Sequence, residues 1–172
     1  MKVILKLLVA AVFVLGVSGV AYGDTYTLAN TNGGDGYVVG DYPAFQLFGS
    51  DTGNGGSNST TFFTTTVSEA ETLSFLWNYS TQDMDSYYDP AGYILNTFTF
   101  KLSPDSGKTA SGVFTLDLNA GDTFGWYVNS IDNVAGRAEL DVTTFTPEPG
   151  SLLLLGSGLA GLIGLVRRKR AA

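Results

Sequence analysis

The segment Thr72 to Ser80 reads Thr-Leu-Ser-Phe-Leu-Trp-Asn-Tyr-Ser, and it constrains the fold more than any other part of the chain. Leu73, Phe75, Trp77 and Tyr79 fall at every second position, with Thr72, Ser74, Asn78 and Ser80 on the opposite face. Period two is the signature of a strand with one face toward a core. Phe98, Phe100 and Leu102 alternate in the same way with Thr97, Thr99 and Lys101, and Phe114, Leu116 and Leu118 with Thr115 and Asp117. Further strands are predicted at Phe124 to Ser130 and Ala138 to Phe145, and earlier ones near Tyr26, Tyr37 to Val39, Phe45 to Phe48 and Phe62 to Val67. Ser106-Gly107, Ala120-Gly121-Asp122 and Val134-Ala135-Gly136 are turn signals at hairpin spacing. Helical periodicity is missing from this region, so the expected fold is all-β: an antiparallel β-sandwich of jelly-roll type. Gly53 to Ser59 is low in complexity and reads as a loop without structure of its own.

Both ends of the 172-residue chain stand apart from this pattern. Lys2 and Lys6 flank an apolar run from Leu7 to Val17, followed by Ala21-Tyr22-Gly23. That is the layout of a signal peptide over residues 1–23, cut by signal peptidase after Gly23 or after Ala21. At the other end an uncharged run, 151–166, precedes Arg167-Arg168-Lys169-Arg170. As a helix it covers roughly 24 Å, enough to cross a bilayer once its flanks snorkel. The basic cluster keeps its end cytoplasmic and the domain 24–146 outside.

That domain carries fifteen acidic side chains against Lys101, Lys108 and Arg137, a net charge of −12. Nucleic acid and anionic lipid are poor partners for such a surface. The chain has no cysteine and no histidine. Thiol chemistry, His-ligated zinc and Ser-His-Asp catalysis are excluded, and an exported domain without disulfides rests on its core or on a bound metal.

Pro147-Glu148-Pro149, the apolar segment and the terminal basic cluster, paired with a signal peptide, resemble the PEP-CTERM sorting tail of Gram-negative bacteria. The resemblance covers residues 147–170 and implies export, processing by an exosortase, and an association with exopolysaccharide. It assigns recognition to Pro147, Glu148 and Pro149, transient anchoring to the helix, and a stop signal to Arg167, Arg168, Lys169 and Arg170. Two prolines hold the backbone extended just outside the membrane, where a protease can reach it. A permanent anchor with a proline-rich linker is the alternative. A second resemblance, carried by Asp89-Pro-Ala-Gly-Tyr93 and Gly136-Arg-Ala138, is to a β-sandwich domain that recurs among exported PEP-CTERM proteins; it implies a fold and no activity.

Trp77-Asn-Tyr-Ser-Thr-Gln-Asp83 and Trp126-Tyr-Val-Asn-Ser-Ile-Asp132 share one frame, a strand that ends in an acidic loop. Neighbouring or facing strands would bring Asp83 and Asp132 to one edge. With Asp85 and Asp89 they form a candidate Ca²⁺ set, since hard cations take carboxylate and carbonyl oxygens; capping of local amides is the competing reading. Tyr87, Tyr88 and Tyr93 are candidate sugar contacts, against a place in the core. The expected function is a non-enzymatic matrix or cell-surface protein associated with exopolysaccharide. The alternatives are a calcium-stabilised adhesion domain with a protein partner, and a polysaccharide hydrolase using Asp83 with Asp132 or Asp85 with Asp89.

Overall fold

The structure, a computed structural model, describes residues 24–145. The expected signal peptide, the sorting motif, the apolar helix and the basic cluster lie outside the described residues. Among the described residues no helix is long and apolar enough to cross a membrane.

Among the described residues ten strands are formed: β1 (Thr27–Asn30), β2 (Tyr37–Asp41), β3 (Ala44–Phe48), β4 (Ser59–Thr66), β5 (Glu71–Thr81), β6 (Ala91–Leu95), β7 (Phe98–Lys101), β8 (Thr109–Leu118), β9 (Thr123–Ser130) and β10 (Ala138–Phe145). They make two five-stranded sheets, β1-β4-β9-β6-β7 and β2-β3-β10-β5-β8. Every pairing is antiparallel. The result is the expected β-sandwich, with alternate side chains of both sheets meeting in one core.

Trp126 sits at the centre of that core, fully buried, with Phe124 at 4.9 Å, Phe45 at 5.0 Å and Phe75 at 5.5 Å, all edge-on. Such edge-to-face packing adds to the area that each ring buries. The predicted strand at Thr72 became β5, and Leu73, Phe75 and Tyr79 are buried as its period requires. Trp77 is only half-buried, because its outer neighbour β8 is an edge strand. For the same reason Phe114 and Leu116 are half-buried, and Phe98 on edge strand β7 is exposed.

Two features depart from expectation. Ala91–Leu95, which is not among the strands expected from the sequence, is β6, an inner strand between β9 and β7. A Cβ on Gly92 would lie 2.0 Å from the Phe100 carbonyl oxygen, so glycine here is what lets β6 and β7 pair closely. The loop 53–59, expected to lack structure, is tied down by buried Asn133. Its carbonyl accepts the Gly53 N–H at 2.9 Å, its amide donates to the Ser57 carbonyl, and its Oδ1 accepts the Ser59 hydroxyl at 2.7 Å.

The Gly-Arg-Ala stretch also acquires a physical reason. Gly136 has φ of 113° and packs against Gln82, where a side chain would collide. Arg137 forks onto Asp35, Nη1 to Oδ1 at 3.0 Å and Nη2 to Oδ2 at 2.5 Å, and donates to the Gly49 carbonyl at 2.6 Å. This clasp holds the Asp35 carboxyl well below the usual carboxylate range. Ala138 is buried without remainder against the core.

Candidate functional site

The acidic loop 82–90 leaves β5 and packs across the end of the sandwich. Ile131 donates its N–H to the Tyr88 carbonyl, and Asn129 to the Pro90 carbonyl, both at 2.8 Å, stitching the loop to the end of β9. Asp85 is a capping residue: its two oxygens accept the Tyr87 N–H at 2.9 Å and the Gly107 N–H at 3.1 Å, which lowers its pKa. Asp132 accepts the Val134 N–H at 3.3 Å and is half-buried.

Asp83 and Asp89 are of another kind, with exposures of 4% and 0%. The Thr81 hydroxyl joins them, accepting the Asp83 N–H at 3.1 Å and donating to Asp89 Oδ2 at 2.7 Å. Tyr79 donates its hydroxyl to the Asp89 carbonyl at 2.8 Å. Asp83 Oδ2 and Asp89 Oδ1 are buried without a hydrogen-bond partner. Burial pushes the Asp89 carboxyl up to about 6, with Asp83 and Asp132 adding to the rise and the Thr81 and Ser130 hydroxyls opposing it. The loops that follow β5 and β9 are joined by the Ile131 N–H to the Tyr88 carbonyl and the Gln82 N–H to the Arg137 carbonyl, with Asp89 buried beside them. Among the described residues, however, no three acidic side chains converge as a metal-binding group. Nor do the expected hydrolytic pairs have access to a polymer, because each contains a buried member.

The three tyrosines separate. Tyr93 is a core residue, 6% exposed and stacked on Phe100 at 4.8 Å, so its expected sugar contact is corrected: β6 turns it inward. Tyr88 is half-buried, edge-on to Tyr87 at 5.3 Å, and Tyr87 alone is open, 63% exposed.

A different site lies on the outer face of the second sheet. Register places Val39, Gln46, Asp141, Asn78 and Ser111 in one row across β2, β3, β10, β5 and β8. The next row is Asp41, Ala44, Thr143, Leu76 and Val113. Four gaps of about 4.8 Å make each row roughly 19 Å long. The surface dips into two adjoining hollows that share Asn78, Asp141 and Thr143. One, of about 480 Å³, extends over Val39 and Gln46; the other, of about 300 Å³, extends over Leu76 and Val113. Together they form an open trough with a polar floor and exposed aliphatic shoulders.

Its chemistry centres on β10. Gln46 donates from Nε2 to Glu139 Oε1 at 2.7 Å. Glu139 and Asp141 stand two residues apart on one face of β10; burial first, and then the Asp141 charge, raise the Glu139 carboxyl. Asp141 Oδ1 is buried and without a partner. None of these three was singled out from sequence. The one available signal was Asn78 on the polar face of an otherwise apolar strand, while Gln46 and Asp141 join it only through pairing across the sheet.

Comparison with known proteins bears on the tail and on the fold. Residues 145–170 match the PEP-CTERM protein-sorting motif, so the chain carries the sorting tail that its Pro-Glu-Pro, apolar run and basic cluster announced. No curated protein matches the chain. Among solved structures it is similar to a family 16 carbohydrate-binding module, at 12% identity over 66% of this chain and 86% of that one, with a TM-score of 0.40. It is also similar to the N-terminal cellulose-binding domain of Cellulomonas fimi β-1,4-glucanase C, at 12% identity over 71% and 88%, with a TM-score of 0.38. A family 35 carbohydrate-binding module from Clostridium thermocellum follows at 7% identity over 71% and 92%, with a TM-score of 0.37. These are likenesses of the sandwich fold.

Proposed function

We propose that this is an exported, exosortase-sorted, non-catalytic protein that holds extracellular polysaccharide in the trough on its second sheet. The observation that carries the reading is the trough itself: a row of amide, carboxylate and hydroxyl groups bordered by Val39, Leu76 and Val113. A sugar chain presents hydroxyl edges and apolar C–H faces, and such a surface answers both. The channel is open along its length, which suits a polymer passing through.

The test is retention of the protein in gels cast with its own organism's exopolysaccharide, together with titration of soluble oligosaccharide. Asn78→Ala and Asp141→Ala are each expected to weaken binding about ten-fold, the loss of one or two hydrogen bonds, with the melting temperature nearly unchanged. Reducing ends should not accumulate. Unchanged binding in both variants would refute the trough as the site. Tyr87→Ala is expected to act more weakly, since its ring lies on the end loop.

Sorting makes a separate prediction. The intact mass of protein recovered from the medium and the outer envelope should correspond to a chain starting near Asp24 and ending between Pro147 and Gly150. A mass that includes Arg167 to Ala172 would contradict removal of the tail and favour the permanent anchor.

A further inference from the structure

The trough has a sign. Among the described residues its lining contains no lysine or arginine, and Arg137, which precedes β10, is committed to Asp35 and the Gly49 carbonyl. Its floor instead carries Asp141, and Glu139 stands just beyond the lining, two residues away on the same face of β10, where it accepts from the Gln46 amide. Two carboxylates partly withdrawn from water repel each other, and one of their oxygens, Asp141 Oδ1, is buried with its hydrogen-bonding capacity unused. A neutral hydroxyl fills one such acceptor. An ammonium does more: it offers three donors and a positive charge to both carboxylates at once, in a setting where a charge-assisted bond is stronger than in bulk water. Anionic polymers meet the opposite condition, since they approach a domain of net charge −12 and a floor of like sign.

Resting on the reading of the trough as a glycan site, we propose that it selects polysaccharides bearing free amino groups, the ammonium of an amino sugar seating between Glu139 and Asp141. Asp141 and Glu139 are then the specificity-determining side chains, while Asn78 and the aliphatic shoulders hold the sugar backbone whatever its substituent.

The experiment compares soluble β-1,4-linked oligomers of equal length that differ at one position: glucosamine, N-acetylglucosamine and glucose, with a uronic acid oligomer as the anionic arm. The protein is titrated with each at physiological salt. The glucosamine oligomer is expected to bind at least about ten-fold more tightly than the other two β-1,4 oligomers, and the uronic oligomer not measurably. Asp141→Asn and Glu139→Gln should each bring the three β-1,4 oligomers to near parity; the readout is the ratio of affinities, since Asp141 also contributes to holding the sugar backbone. The double variant Glu69→Gln with Asp105→Asn, remote from the trough, should keep the preference; this separates a seated ammonium from general attraction to an acidic surface. Equal binding of the three β-1,4 oligomers by the parent overturns this inference and leaves the glycan reading intact. No binding of any oligomer overturns both. A glucosamine preference that survives Asp141→Asn and Glu139→Gln but falls in the remote variant also overturns the inference.

Discussion

Trp126→Ala is expected to destabilise the protein by about 3–5 kcal/mol, the range for removing a large aromatic side chain from a packed core. The indole is fully buried on β9, an inner strand of the first sheet, and bridges the sheets through Phe45 and Phe75 of the second. Phe124 of its own strand and Tyr26 at 5.6 Å complete its surroundings. Four rings around one void cannot collapse without leaving their own contacts, so little of the loss is recovered by relaxation. A domain of this size has roughly 5–15 kcal/mol in total, and urea unfolding should show a large fall in the midpoint. A loss below about 1 kcal/mol would mean that the two sheets are not joined through this residue.

Asp89→Asn should act in the opposite direction at neutral pH. The folded Asp89 carboxyl holds its proton up to about pH 6, whereas in the unfolded chain an aspartate releases it near 3.9. Between those values the folded state binds more protons, so stability falls as pH rises from about 4 through 6 and levels off above. A shift of about two units corresponds to at most roughly 3 kcal/mol. Burial sets the sign first, by withdrawing the carboxylate from water; the Thr81 and Ser130 hydroxyls oppose the rise, and the Asp83 and Asp132 charges add to it. Asparagine keeps an oxygen for the Thr81 hydroxyl and removes the charge that burial penalises. The variant should unfold with little pH dependence in this window and be about 1–3 kcal/mol more stable than the parent at pH 8. Repeating the melts with millimolar calcium tests the cation expectation at the same place. A rise in the parent that is lost in Asp89→Asn identifies a bound ion, and no rise identifies the proton as the partner. A parent without any pH slope, and a variant no more stable, would contradict this account of the buried pair.

How much of this was legible beforehand depended on whether the information was local. Period-two alternation is local, and it located β5, β8, β9 and β10 well; β10 spans Ala138–Phe145 as expected. The sorting tail is a linear motif and was equally plain. β6 was missed because Asp89-Pro-Ala-Gly-Tyr93 has turn composition, and only the close approach of Phe100 to Gly92 shows why a glycine stands in an inner strand. The shared frame around Trp77 and Trp126 correctly brought two acidic loops to one edge. It gave no means of telling the two tryptophans apart, since that depends on β9 lying inside its sheet and β5 lying beside edge strand β8. The trough is the extreme case. Gln46, Asn78 and Asp141 share a row solely through the pairing of β3, β10 and β5, and register is set by the whole fold. Attention in the sequence went instead to the Asp-rich loop, where charges cluster locally, and the structure assigns those carboxylates to capping and to a buried pair.

The most direct test of the central claim is to map amide chemical-shift changes in the ¹⁵N-labelled protein during titration with the soluble β-1,4 glucosamine oligomer and with its glucose counterpart. Binding in the trough predicts that the shifts gather on Val39, Gln46, Asn78, Ser111, Asp141 and Thr143, with the Gln46 and Asn78 side-chain amides among the most affected, and that residues 82–90 stay still. Shifts gathered instead on the end loop around Tyr87, or spread evenly over the acidic surface, would contradict it.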